Sequence, residues 1–224
     1  VKQAPSPNQD DRPAGEPIDM LLLHYTGMRR AAEAIDRLRD PVARVSSHYV
    51  VEEDGLVWQL VPEERRAFHA GISHWRGHTL LNGRTIGIEI VNPGHEWGYR
   101  PFPALQMAAV CDLCLGILSR HPIPARNVIG HSDVAPDRKD DPGELFDWRG
   151  LAANGVGLWP GPDGDPVADV TAALAAIGYR TDLPLDVLLR AFQRHWRPEK
   201  VDGLPDIQTR TRLAAVLECI VRPG

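Results

Sequence analysis

Ile18-Asp19-Met20-Leu21-Leu22-Leu23-His24 is an apolar, leucine-rich run that stops at Tyr25-Thr26-Gly27. It reads as a buried strand ending on a histidine. The carboxyl ends of strands in α/β sheets are where sites gather, so His24 is a first candidate. Working outward, residues 28–39 place Met28, Ala31, Ile35 and Leu38 at helical spacing with charges between them. The runs 47–52 and 56–61 flank Asp54-Gly55, a hairpin signal. Residues 85–91 are β-branched and apolar, 104–120 carry a long helical pattern, and 127–130 form a short strand that ends at His131. The order strand, helix, hairpin, strand, helix, strand predicts an α/β fold, a mixed central β-sheet flanked by helices.

Ahead of this core, residues 1–17 are polar and carry Pro5, Pro7, Pro13 and Pro17, an extended N-terminal segment. Behind it, the Gly/Pro-rich stretch 153–166 reads as a connection. Three helix-like stretches follow at about 167–177, 184–197 and 206–220, punctuated by Gly178, Pro184, Pro198-Glu199 and Gly203. They predict a small three-helix C-terminal domain.

Composition narrows the function classes. The chain has 224 residues, 43% hydrophobic and 25% charged, which is globular and excludes disorder, a collagen-like fibre and a coiled coil. No apolar run approaches the roughly 20 residues that span a bilayer; the longest, 108–118, is interrupted by Cys111-Asp112 and Gly116. A net charge of −5 argues against a nucleic-acid partner. Three Cys are too few for a disulfide framework. Cys111-Asp112-Leu113-Cys114 lies inside a helical pattern with no second pair, so the two thiols read as core packing. Nine His are a moderate excess, and some are candidate ligands.

His131 opens the segment His131-Ser132-Asp133-Val134-Ala135-Pro136-Asp137-Arg138-Lys139-Asp140-Asp141-Pro142-Gly143. This is either a solvated loop or a metal loop in which His131 and one of its Asp residues face His24 across the strand ends. Two His and one carboxylate leave a fourth position on Zn²⁺ open for water, as in catalytic sites. Zinc acidifies that water and polarises a carbonyl. The residues alone leave the choice of Asp open. Glu89 stands inside the 85–91 strand, where a carboxylate is costly to bury without a partner.

Five motifs fall in a family's order: Leu22-Leu23-His24-Tyr25-Thr26, Ser46-Ser47-His48-Tyr49 with Asp54-Gly55, Phe68-His69-Ala70-Gly71, Ile86-Gly87-Ile88-Glu89, and Gly130-His131-Ser132-Asp133 through Gly143. Together they resemble the zinc N-acetylmuramoyl-L-alanine amidases of the bacteriophage-lysozyme and peptidoglycan-recognition-protein superfamily. Ala70-Gly71-Ile72-Ser73-His74-Trp75-Arg76-Gly77 is similar to a broad-specificity subgroup of Gram-negative bacteria. Ala191-Phe192-Gln193-Arg194-His195-Trp196-Arg197-Pro198, followed by Asp202-Gly203, resembles the helical peptidoglycan-binding domain found behind such catalytic domains.

The resemblance implies a zinc amidase catalytic domain at 18–160, a connector and helix at 161–178, and a helical peptidoglycan-binding-like domain at 179–224. It implies His24, His131 and Asp141 as Zn²⁺ ligands. Asp141 is preferred to Asp140, Asp137 and Asp133 because the family's liganding acid directly precedes Pro-Gly. Glu89 matches the catalytic carboxylate and Lys139 the catalytic lysine. A Glu beside the metal takes a proton from water and returns it to the leaving nitrogen; a Lys ammonium adds charge at the oxyanion. His69, Trp75, Arg76 and Asn92 are candidate substrate contacts. His48 reads as a hydrogen-bonded core residue, and His74, His78, His95, His121 and His195 as surface or structural.

The implied reaction is hydrolysis of the amide between N-acetylmuramic acid, intact or 1,6-anhydro, and L-alanine of the stem peptide, in wall turnover or recycling. The implied partner is peptidoglycan or a muropeptide. The alternative is a non-catalytic peptidoglycan receptor or wall-anchoring protein; the presence of all five ligand and catalytic residues favours the enzyme. A wall-binding domain implies a periplasmic or cell-envelope location, with the cytoplasm as the alternative.

Overall fold

A computed structural model of the chain describes residues 1–161 and 164–221. Pro162 of the Gly/Pro-rich connection, and positions 222–224 of the C-terminal unit, lie outside the described residues. The strands are β1 (Lys2–Gln3), β2 (Gln9–Asp11), β3 (Met20–Tyr25), β4 (Tyr49–Val51), β5 (Val57–Gln59), β6 (Arg65–Ala67), β7 (His74–Trp75), β8 (His78–Thr79), β9 (Thr85–Ile90) and β10 (Val128–Gly130). The helices are α1 (Ala31–Arg39), α2 (Gly94–Trp97), α3 (Ala104–Arg120), α4 (His131–Val134), α5 (Trp148–Ala153), α6 (Val170–Ile177), α7 (Leu185–Trp196) and α8 (Ile207–Val221).

The main sheet runs β1-β5-β4-β9-β3-β10. The β4–β5 hairpin is antiparallel and every other pair is parallel, so the sheet is mixed as the sequence predicts. The leucine run of β3 is continuous because both its faces are covered, as parallel strands require. Leu21 and Leu23 pack with Ile86, Ile88 and Ile90 of β9 against Val110, Cys114 and Ile117 of α3. Met20 and Leu22 face the other way, into a core with Leu174, Ile177, Leu188, Phe192 and Leu213. The C-terminal helices α6–α8 therefore form the second layer on the sheet and share its core.

The N-terminal segment is more than an extended lead-in. β1 adds a parallel edge strand beside β5, and β2 pairs with β6 in a separate two-stranded sheet. Arg12 then donates to the carbonyls of Glu63 (2.9 Å), Gly83 (2.8 Å) and Thr85 (2.9 Å), pinning the segment to the sheet. Cys114 is buried and Cys111 half-buried in the core beneath α3, both as free thiols, in agreement with the packing expectation. Among the described residues, no helix is long and apolar enough to cross a membrane.

Candidate active site

Three strand ends deliver the site. His24 lies near the carboxyl end of β3, in register with Glu89 of β9. Registered residues of parallel strands point to the same face, so both side chains leave the sheet together. His131 is the first residue of α4, immediately after Gly130, which is in register with Leu23. Asp141 returns to the same spot because Ser132 N–H donates to its carbonyl (2.8 Å).

His24 Nδ1 lies 2.9 Å from His131 Nδ1, and Asp141 Oδ2 lies 3.1 Å from each. The outer ring nitrogens decide what these contacts are. Thr85 Oγ1–H donates to the Leu81 carbonyl (2.9 Å), so it accepts from His69 Nε2–H (3.0 Å). His69 Nδ1 then accepts from His24 Nε2–H (3.0 Å). His131 Nε2–H donates to the Ala70 carbonyl (3.2 Å). A neutral imidazole carries one N–H, so both Nδ1 atoms present lone pairs to each other and to Asp141. Burial pushes His24 down to about 4, and pushes His69 well below its ordinary value, which keeps both rings neutral.

Three lone pairs converging without a proton between them need a cation. Donors on a tetrahedral ion with bonds of about 2.0–2.1 Å lie about 3.3 Å apart. The observed triangle is slightly tighter than that and is buried at all three corners. Burial alone would raise the Asp141 carboxyl; its contacts with His131 and His24 outweigh this and hold it well below the usual carboxylate range. Two imidazoles and one carboxylate on one side therefore fit a metal ion with an open position.

The triangle borders a cavity of about 260 Å³ whose lining includes Tyr25, Phe68, His69, Glu89, His131, Lys139 and Asp141. Glu89 Oε2 is buried there without a hydrogen-bond partner. Burial, then the Asp141 charge, push the Glu89 carboxyl well above its ordinary value, with Lys139 pulling the other way. A carboxyl so perturbed in a cleft beside a charge cluster has the character of a proton carrier. Lys139, half-buried, brings a cation to the same cavity.

The other expected contacts divide. His69 lines the cavity, but both its ring nitrogens are committed to His24 and Thr85, so it fixes the orientation of the His24 ring. Trp75 corrects the expectation of a substrate contact: it is 2% exposed, in the core shared with the C-terminal helices, edge-on to Tyr179 at 5.1 Å. Arg76 is likewise turned away, its guanidinium donating to the Ile177 carbonyl (2.8 Å) and its backbone N–H to Gly178 (2.9 Å). Both residues seat the end of α6. Asn92 also departs from expectation: it is buried away from the cavity, its amide donating to the Arg100 carbonyl (2.8 Å) and accepting from Gly94 N–H (3.0 Å) to close the local turn.

His48 is a buried hydrogen-bonded residue, accepting from Gly87 N–H at Nδ1 (3.0 Å) and donating to the Arg65 carbonyl at Nε2 (3.1 Å). His121 pairs with Glu63 and His95 with Glu144. Thr85 and Gly87 escape the sequence reading. A Cβ on Gly87 would lie 2.5 Å from His69 Nδ1, so the glycine exists to let the ring cross the strand. A lone Gly inside a β-branched strand was the available signal.

Residues 14–144 match the family described as N-acetylmuramoyl-L-alanine amidase. The chain is 37% identical to N-acetylmuramoyl-L-alanine amidase AmiD of Escherichia coli over 90% of this chain and 83% of AmiD. The structure of that enzyme in complex with anhydro-N-acetylmuramic acid-L-Ala-D-gamma-Glu-L-Lys superposes with a TM-score of 0.81 at 37% identity, covering 92% of this chain and 91% of the other. AmpDh3 of Pseudomonas aeruginosa, in complex with anhydromuramic pentapeptide, matches with a TM-score of 0.82 at 34% identity over 92% and 93%. The 1,6-anhydro-N-acetylmuramyl-L-alanine amidase AmpD of Citrobacter freundii is 35% identical over 68% of this chain and 89% of AmpD.

Proposed function

The chain belongs to the N-acetylmuramoyl-L-alanine amidase family, and from that premise we propose a zinc-dependent enzyme. It hydrolyses the amide between the lactyl group of N-acetylmuramic acid, or its 1,6-anhydro form, and L-alanine of the stem peptide. The observation that carries the reading is the triangle of His24 Nδ1, His131 Nδ1 and Asp141 Oδ2, with the unpartnered Glu89 Oε2 in the same cavity. The likeness to the amidase AmiD and to AmpDh3, each in complex with an anhydromuramyl peptide, supports the substrate class.

His24, His131 and Asp141 would hold the zinc. When bound, zinc supplies Lewis acidity, acidifying water and polarising the scissile carbonyl. Glu89 takes the proton from the attacking water, as its position on the strand next to His24 and its raised affinity for a proton suit. The Lys139 ammonium faces the oxygen on which negative charge develops. Glu89 then returns its proton to the nitrogen as the C–N bond breaks. The products are a muramoyl lactyl carboxylate and a peptide with a free L-alanine amine. His69 and Ala70 hold the two imidazoles in the tautomers that point lone pairs inward.

Mass spectrometry of muropeptides after digestion tests this reading. Free peptides beginning with L-alanine are expected. Cleavage within the peptide or the glycan would overturn it.

A further inference from the structure

The two proposed ligands His131 and Asp141 bound a segment whose two ends are both gripped by one C-terminal helix. Consecutive residues of α7 do this. Arg194 Nη2 pairs with Asp140 Oδ1 at 2.6 Å, one residue before Asp141. His195 Nδ1–H donates to Asp133 Oδ2 at 2.7 Å, two residues after His131.

Asp133 is the centre of the grip. It is 1% exposed, and its carboxylate accepts from three segments. Gly130 N–H, just before His131, donates to Oδ2 (2.8 Å). Tyr179 O–H, just after α6, donates to Oδ1 (2.5 Å). His195 of α7 completes the set. The His195 ring cannot swing away, because it lies flat between Trp148 and Trp196, with ring centroids 3.9 Å from each. The sequence reading offered Asp133 as a possible metal carboxylate and His195 as surface or structural; the geometry gives them to each other.

We propose that this carboxylate-centred lock makes the C-terminal helices part of the metal centre's support. Asp133, Tyr179 and His195 are positioning residues that fix α4 and so aim His131, and Arg194 steadies the Asp141 end of the same loop. The inference rests on the zinc reading above and adds that the helical unit sets metal affinity, separately from any contact it makes with the wall. The physical reason is that a ligand's orientation is part of its affinity: loss of outer hydrogen bonds around a metal costs roughly 10–100-fold in binding or activity. A buried carboxylate with three donors from three segments holds those segments far more tightly than exposed ion pairs do.

The test uses the full chain, stripped of metal and titrated with Zn²⁺ against a chelator and with Co²⁺ followed by its visible absorption. His195→Leu is expected to weaken Zn²⁺ binding by roughly 10–100-fold and to alter the Co²⁺ bands. His195→Asn, whose amide N–H replaces Nδ1–H, is expected to restore most of the affinity. Tyr179→Phe, which removes a single oxygen, gives the same reading if His195→Leu folds poorly. Variants that bind Zn²⁺ and Co²⁺ as the wild type does, with only a lower Tm, overturn the inference and leave the zinc reading standing. A wild-type chain that binds no zinc overturns both.

Discussion

His24 and Glu89 are register partners on the parallel strands β3 and β9. The ladder that joins them therefore sets the distance between a corner of the donor triangle and the carboxyl that lacks a hydrogen-bond partner. The proposed ligand and the proposed proton carrier are thus placed by backbone pairing, and their side chains need only leave the same face of the sheet.

This separation of roles makes the first prediction. Glu89→Gln is expected to keep its zinc and to lose kcat by on the order of 10²–10⁴-fold, the usual worth of a positioned acid–base group. His131→Ala, by contrast, removes a corner of the triangle and is expected to lose both zinc and turnover. Metal analysis beside steady-state kinetics separates the two. Full zinc occupancy in His131→Ala would contradict the ligand set.

Lys139→Ala is expected to retain zinc and lower kcat by roughly 10²–10³-fold, in line with removal of one oxyanion-stabilising group. KM is expected to change little, because the charge it meets develops only in the transition state. A pure KM effect in the same assay would make Lys139 a substrate anchor instead.

Gly87→Ala probes the support behind His24. The new Cβ would lie 2.5–2.6 Å from three atoms of the His69 ring, which cannot retreat while Thr85 and His24 hold both its nitrogens. Overpacking of this kind costs roughly 1–3 kcal/mol. Weaker zinc binding together with a lower Tm is the expected result, read by chelator competition and thermal denaturation. Unchanged zinc affinity would mean that the His24–His69–Thr85 chain does not orient the ligand.

Glu63 gives a pH-dependent prediction away from the site. It accepts from Tyr49 Oη, Arg120 Nη2 and His121 Nε2, each at 2.7 Å. Burial alone would raise its carboxyl, but these three donors outweigh burial and hold it at about 2, from an ordinary 4.5. A depressed folded-state value stabilises the fold above the unfolded pKa, and that contribution is lost as pH falls through the folded one. Glu63→Gln is therefore expected to be less stable than wild type at pH 7, and the gap is expected to close as pH falls from 4.5 to about 2. Denaturant titrations across that range check it; a gap that stays constant contradicts the linkage.

The parts of this molecule that were legible in the sequence are those with local signals. The leucine run into His24, the Asp54-Gly55 hairpin and the 104–120 helix each carry a period or a turn residue of their own, and the structure has strands, a hairpin and a helix at those places. Strands of two or three residues such as β1, β2, β7 and β8 carry no period, and Arg12, which pins three carbonyls, looks like any surface charge until its partners are known. The site shows the same division. His24, His131, Asp141, Glu89 and Lys139 all sit in motifs; the last four line one cavity, and His24 closes the triangle with His131 and Asp141. Trp75, Arg76 and Asn92 were misplaced because their partners Tyr179, Ile177 and Arg100 are set by packing and loop closure. The pairing of Asp133 with His195 spans 62 positions and has no local trace.

The central claim is that one zinc ion held by His24, His131 and Asp141 makes this chain an amidase. Stepwise addition of Zn²⁺ to the metal-free chain, with release of the L-alanine-terminated peptide from an anhydromuramoyl peptide as the signal, tests it most directly. The account predicts no release without metal and a linear rise that saturates at one equivalent. Full activity in the metal-free chain, or activity that does not saturate at one equivalent, would contradict it.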